Sequence, residues 1–205
     1  MLPAPPIHGW AMTDLKANAV NFPIFAGART PIVLSTYHRD SMGSLLAASI
    51  FGAAVAPASS VWPLANEAMF VPFQIHDSVT AYQLAVMKGA DIGDNLDIGI
   101  YDAAGVRRVS AGSTAQSAGL NALQVFDIPD TPLEPGRYYL AVVMDGITGQ
   151  LRVSAPDAPF VGYLSMCGIA VQTSAFPLPA TVTLALNGRL RFPLACVSFR
   201  ATPAP

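Results

Sequence analysis

Leu96-Asp97-Ile98-Gly99-Ile100-Tyr101, followed by Asp102-Ala103-Ala104-Gly105, is the stretch that decides the fold. Leu96, Ile98 and Ile100 recur at every second position, with Asp97, Gly99 and Tyr101 between them. A period of two sends the first set to one face of a β-strand and the second set to the other. The next four residues read as a tight turn, because Asp bonds its own backbone and Gly105 accepts positive φ without steric cost. The chain is then expected to return through residues 106–111.

The same period appears on both sides of this stretch. Met69, Val71, Phe73 and Ile75 form one alternating set, and Thr80, Tyr82, Leu84 and Val86 form the next. Pro72 has no N–H to give a ladder, so its strand is expected at a sheet edge or at a bulge. Residues 123–128 form another strand, and 129–136 read as a broad turn. Residues 137–144 are apolar on both faces, which suits a central strand. Asp145-Gly146 turns the chain into 148–153. Seven short strands at this spacing predict an antiparallel sandwich.

Residues 156–179 are irregular in pattern but apolar enough to pack down. Around Asn187-Gly188, a three-residue loop over 186–188 pairs Leu184 with Leu190 and Val182 with Phe192, keeping apolar groups on one face. A last strand over 194–199 would close a sheet. The expected fold is therefore all-β: an antiparallel, jelly-roll-like β-sandwich over residues 61–205, preceded by an extended N-terminal arm over 1–60.

The arm differs in composition. It holds Pro3, Pro5, Pro6, Pro23, Pro31 and Pro57, with Trp10, Phe22, Ile24, Phe25, Ile32, Val33 and Leu34 between them, too apolar for a disordered tail. Ala and Leu favour a short helix over 41–55, which Gly52 weakens. With 18 Pro and 16 Gly in 205 residues, long helices are not expected. Met1-Leu2-Pro3-Ala4-Pro5-Pro6 lacks the basic start and apolar core of a secretory signal. The apolar run over 45–56 is shorter than the roughly 20 residues a membrane-spanning helix needs, so no membrane insertion is expected.

Charged residues make up 12% of the chain, against roughly 25% in ordinary soluble domains. So poor a supply of surface charge points to apolar surface covered by partner protein. The net charge of −2 supplies no basic footprint for nucleic acid. Cys167 and Cys196 are too few for a disulfide framework and read as small buried hydrophobes.

Tests for chemistry return little. His8, His38 and His76 lie in no recognisable catalytic setting, there is no Gly-x-Ser-x-Gly elbow, and Ser113 sits in a Ser/Gly/Ala loop. No phosphate loop or dinucleotide fingerprint is present. Asp91, Asp94, Asn95 and Asp97 are the best oxygen-ligand set, for calcium, but their spacing is not that of an EF-hand and Asp and Asn are ordinary turn formers. Glu67 and Glu134 are the only glutamates, and both read as solvated loop residues. Tyr101, Tyr138, Tyr139 and Trp62 could stack on a sugar, with Tyr101 the most interesting because alternation turns it outward. No catalytic residue, cofactor or metal site is assigned, and the chain is not read as an enzyme.

Three strings carry a resemblance. Leu96-Asp-Ile-Gly-Ile-Tyr-Asp-Ala-Ala-Gly105, then Val109-Ser-Ala-Gly-Ser-Thr-Ala-Gln116, then Leu133-Glu-Pro-Gly-Arg-Tyr-Tyr-Leu-Ala141 resemble β-sandwich modules of tailed-bacteriophage virion proteins. The resemblance covers residues 66–153. It implies a virion protein assembled in the host cytoplasm: a head decoration, or a tail, fibre or receptor-binding piece. Such proteins are commonly homo-oligomeric, often trimeric, and anchored by an N-terminal arm. The expected partners are identical subunits and other virion proteins, with Trp10, Phe22, Phe25, Ile50 and Phe51 as candidate subunit-interface residues. The alternative is a carbohydrate- or host-receptor-binding module of a phage fibre, whose partner is a host-surface glycan.

Overall fold

The computed structural model describes residues 44–45, 58–154, 169–186 and 192–201. In chain order the strands are β1 (Ser44–Leu45), β2 (Ala58–Val61), β3 (Ala68–Ile75), β4 (Val79–Met87), β5 (Asn95–Asp102), β6 (Arg107–Ser110) and β7 (Thr114–Ala115). They continue as β8 (Leu123–Leu133), β9 (Gly136–Met144), β10 (Gln150–Ser154), β11 (Ala170–Gln172), β12 (Ala185–Leu186), β13 (Phe192–Pro193) and β14 (Ala195–Ala201). The described residues hold no helix, and every strand pairing is antiparallel.

The large sheet has the order β12-β11-β3-β9-β5-β6, with β7 also paired to β5. A four-stranded sheet has the order β1-β14-β4-β8, and a small sheet the order β13-β10-β2. Alternation decides which side chains meet. Val71, Phe73, Ile98, Leu140 and Val142 of the large sheet share one buried cluster with Leu84, Val86, Phe126, Val197 and Phe199 of the four-stranded sheet and with Leu151 and Val153 of the small one. Phe73 bridges the two larger sheets, 5.9 Å from Tyr138 and 6.1 Å from Phe199 between ring centroids.

The other face of the large sheet is buried as well. Ala68, Phe70, Tyr101, Tyr139, Ala141 and Val143 form a second cluster with Ala175 and Leu178. The cover is a strap over residues 175–182. Leu178 N donates to Asp97 Oδ2 at 3.0 Å, Tyr101 donates from its hydroxyl to Pro179 O at 2.6 Å, and Arg107 donates from its guanidinium to Leu178 O. This is why residues 137–144 are apolar on both faces: β9 lies centrally, with β3 and β5 beside it and a packed layer on each side.

Gly105 seals the strap's far end. Its φ is +78°, and an added Cβ would lie 2.5 Å from Val182 O. Gly105→Ala is therefore expected to cost about 2–3 kcal/mol, from left-handed backbone strain together with displacement of the strap. A lowered urea midpoint with unchanged slope is the measurement that checks it.

Five expectations need correction. Residues 129–133 are not a turn: β8 runs on to Leu133, and Pro132 pairs with Thr80. As an edge strand, β8 tolerates Pro129 and Pro132, and the register shift opposite Ala81 and Gln83 absorbs the irregularity. Val182 and Phe192 do not pair. Val182 N donates to Gly105 O, whereas Phe192 pairs with Ser154 in another sheet. The apolar face around Tyr101 and Tyr139, which would otherwise meet water, competes for the 175–184 segment and wins it. A helix across 41–55 does not run unbroken, because Ser44–Leu45 pairs with β14 as a strand. Glu67 is not solvated; it is 3% exposed. Pro72 lies neither on an edge strand nor at a bulge: β3 sits between β11 and β9, its pairing with β9 runs through Pro72 opposite Tyr139 without a shift, and among the described residues β11 reaches Ala68 to Phe70, so no ladder bond is asked of Pro72 there.

Candidate recognition surface

At one end of the sheets, residues 62–67, 88–94, 116–122 and 145–149 link strand ends and bond to one another. Asn66 N donates to Met144 O, Gly89 N to Gln150 O, Gln116 N to Asp94 O, and Asn121 N to Gly89 O. Asn66 and Asn121 take left-handed φ values of 60° and 51°, which Asn tolerates better than most residues.

The side chains complete the lattice. Asp94 accepts from Thr148 N at 2.9 Å, Gly149 N at 2.7 Å and Thr148 Oγ1 at 2.5 Å. Gly146 permits this approach, since a Cβ there would lie 2.3 Å from Asp94 Oδ1. Asn95 donates to Asp145 through its backbone N at 2.9 Å and its Nδ2 at 2.7 Å. Gln150 Nε2 donates to Asp91 at 2.6 Å, and Gln116 joins Gly93 N to Gln150 O. Lys88 is fully buried; its Nζ bonds Ser117 O at 2.6 Å, Ser117 Oγ at 2.9 Å and Ala118 O at 3.0 Å. A lysine saturated by its own loop is a clamp, and the loop it holds cannot shift without orphaning a buried amine.

These bonds dispose of the acidic residues as a calcium set. Asp91, Asp94 and Asp145 spend their oxygens on different loop donors, while Asp97 lies under the strap, bonded to Ser110 Oγ at 2.7 Å and Leu178 N. Among the described residues no group of three metal-ligating side chains forms. Glu67 precedes β3 and Glu134 follows β8 at the opposite end. The eight-residue length of β3, about 26 Å at 3.3 Å per residue, separates those ends, far beyond the spacing of a glycosidase pair.

The aromatic candidates are also placed elsewhere than expected. Trp62, Tyr101, Tyr138 and Tyr139 are all buried. Tyr101 does turn away from the main core, as alternation requires, but it turns into the second cluster, 5.3 Å edge-on to Phe70. Burial pushes its phenol well above the usual tyrosine range, with Arg107 pulling the other way. None of the four offers a sugar a face. His76 is exposed at the hairpin after β3. Trp10, Phe22, Phe25, Ile50 and Phe51, with His8, His38 and Cys167, lie outside the described residues.

The locked loops present apolar tips among exposed polar residues such as Asp91, Ser117, Asn121 and Thr148. Leu64, Ile92, Leu120 and Ile147 are exposed at 43%, 38%, 56% and 56%. A Cβ on Gly93 would sit 3.6 Å from Thr148 Oγ1, so the loops bearing Ile92 and Ile147 are neighbours. At the other end Ser78 donates to Glu134 and Arg108 lies close to Asp102, and among the described residues Val106 is the large apolar side chain exposed there. Leucine and isoleucine exposed on a backbone held by this many bonds lose little ordering entropy on contact with another surface. Sequence reasoning placed the Asp and Asn in this loop but missed the tips; the signal was a single apolar residue beside each turn former, as in Asp91-Ile92-Gly93 and Gly146-Ile147-Thr148.

No known protein family, curated protein or solved structure matches the chain. Among the described residues no helix is long and apolar enough to cross a membrane.

Proposed function

We propose that the protein is a structural component of a tailed-bacteriophage particle, an oligomeric head-decoration or tail-associated subunit that binds its neighbours. The observation that carries this reading is the locked loop end with its four exposed apolar tips, on a chain whose charged residues amount to 12%. Such a surface gains by contact with protein and loses by contact with water. The two larger sheets, sharing one core, support a jelly-roll-like β-sandwich over residues 61–205. The strings that resemble virion modules fall on β5, on the β6–β7 stretch and on β9, and β5 pairs with both β9 and β6. In this reading residues 1–60 anchor the subunit, and Trp10, Phe22, Phe25, Ile50 and Phe51 meet neighbouring subunits.

Light scattering on the purified full chain tests the proposal. The expected result is an oligomer at micromolar concentration; a stable monomer overturns it. The double variant Ile92→Lys/Ile147→Lys is expected to weaken self-association at least about tenfold, since burying one such side chain contributes roughly 1.5–3 kcal/mol and 1.4 kcal/mol is a factor of ten.

A further inference from the structure

Arg137, at the start of β9, is a cation without an answering group. It is half-buried and lies over the Tyr139 ring, 5.0 Å from guanidinium carbon to ring centroid. Among the described residues no carboxylate pairs with it and no acceptor takes its N–H groups. Its Nε is sealed from water with no hydrogen-bond partner, whereas Nη1 and Nη2, equally unbonded, reach solvent. Glu134 and Asp102, at the same end of the sheets, are engaged elsewhere. Glu134 accepts from Ser78 Oγ, and Asp102 accepts from Ala104 N and Val106 N with Arg108 beside it. A guanidinium is all donors, and one drawn this far from water is ordinarily paired with an anion.

Two more donors stand beside it on the same sheet face. Asp145 N donates to Asn95 O, and the β5–β9 register runs from there without a shift, so the odd-numbered residues of β9 bond toward β5. Toward β3 the same residues form the pairs without hydrogen bonds, in which side chains approach most closely. Arg137 is paired in this way with Gln74, and Tyr139 with Pro72. Among the described residues the Tyr139 hydroxyl has no acceptor, and Gln74 Nε2 makes only a long 3.5 Å contact with Ile75 O. A guanidinium, a phenol and an amide thus gather donors with no acceptor among them.

We infer that Arg137, Tyr139 and Gln74 form a carboxylate-binding site. The carboxylate takes the solvent-facing Nη1 and Nη2 of Arg137 as a planar fork, and the Tyr139 hydroxyl and Gln74 amide donate to it from the side. The Tyr139 ring beneath holds the guanidinium flat, so little side-chain freedom is lost on binding. One guanidinium neutralises one carboxylate, whereas a phosphate, carrying nearly twice that charge, would be left half answered. The carboxylate comes either from a free small acid or from an acidic group of a neighbouring subunit. The site lies on β3 and β9 at the end away from the loop tips, so it does not rest on the loop end meeting a partner.

The test titrates the full chain with sodium acetate, against sodium chloride at equal ionic strength, and follows the arginine Nε–H signals by nitrogen-15 NMR. The Arg137 signal is assigned by its loss in Arg137→Gln, and its sealed Nε–H is expected to survive exchange with water. The expected result is a saturable shift of that signal with acetate and not with chloride. Tyr139→Phe and Gln74→Ala should each weaken acetate binding at least about fivefold, the worth of one hydrogen bond. Tyr139→Phe keeps the packed ring, so it reads the site even where Arg137→Gln fails to fold. Light scattering of the same samples identifies the source. Acetate that lowers the oligomer mass places the natural carboxylate on a neighbouring subunit, and acetate that binds without changing the mass makes it a free acid; both results keep the site. A monomer that binds acetate through Arg137 defeats the assembly proposal and keeps the site. An equal shift with chloride, affinity unchanged in Tyr139→Phe and Gln74→Ala, or a protein blind to acetate whose mass Arg137→Gln leaves unchanged overturns the inference.

Discussion

Phe70→Ala and Phe73→Ala are expected to destabilise the protein by similar amounts, about 3–5 kcal/mol each. The two side chains belong to the same strand and lie in opposite clusters. Phe73 is 2% exposed and sits between Tyr138 and Phe199, where it joins the large sheet to the four-stranded one. Phe70 is fully buried on the other side, edge-on to Tyr101 beneath the strap. In a sheet with one wet face only one of the two would carry such a cost, because the other would already touch water. Equal costs in urea titrations, with slopes unchanged, would show two complete cores. A cost for Phe70→Ala below about 1 kcal/mol would mean that the strap contributes no more than a loose cover.

The alternation in residues 96–101 gave β5 its two faces correctly, and the same reasoning found β3, β4, β6, β9, β10 and the closing strand β14. β3, β10 and β14 read clearly because each carries its own apolar period, whereas β9 reads as a strand apolar on both faces and the register shift between Ala81 and Gln83 puts Val79 and Ala81, not Thr80 and Tyr82, in the core with Leu84 and Val86. What pattern could not show was the destination of the outward set. Tyr101 and Asp97 look like surface residues until a distant segment, 175–182, is laid over them, and nothing within a six-residue window encodes that. β8 was misread past Ile128 because proline punctuates a sequence whether it ends a strand or merely occupies an edge. Its first half was ambiguous for another reason. Leu123 and Val125 alternate with Gln124, Phe126 and Ile128, so apolar residues stand at both parities. Only the pairing to β4 decides that Phe126 is inner and Val125 outer. The loop end was legible as turn chemistry, since Asp, Asn and Gly cluster there, but several of its cross-loop bonds join residues fifty or more positions apart. A long-range lattice of that kind leaves no local signature.

Asp97 makes the second large prediction. It is fully buried, and it is the point where the strap is tied to β5: one carboxylate oxygen accepts from Ser110 Oγ at 2.7 Å and the other from Leu178 N at 3.0 Å. Asp97→Ala removes the acceptor and strands a buried backbone N–H, at about 1–3 kcal/mol, and it opens a small cavity besides. The expected total is about 3–4 kcal/mol. Asp97→Asn keeps the shape and one carbonyl oxygen for Leu178 N, and its amide can donate to Ser110 Oγ once that hydroxyl turns, so only the charge assistance is lost. Its expected cost is about 1–2 kcal/mol. The ordering separates hydrogen bonding from mere packing, because a role limited to filling space would leave the isosteric Asn variant as stable as the parent. Amide hydrogen exchange at Leu178 and its neighbours gives the second reading: Asp97→Ala should expose the strap well before the sheets unfold, whereas the Asn variant should keep it closed. If both variants lose the same stability and exchange alike, the strap is held by Tyr101 and Arg107 without help from Asp97.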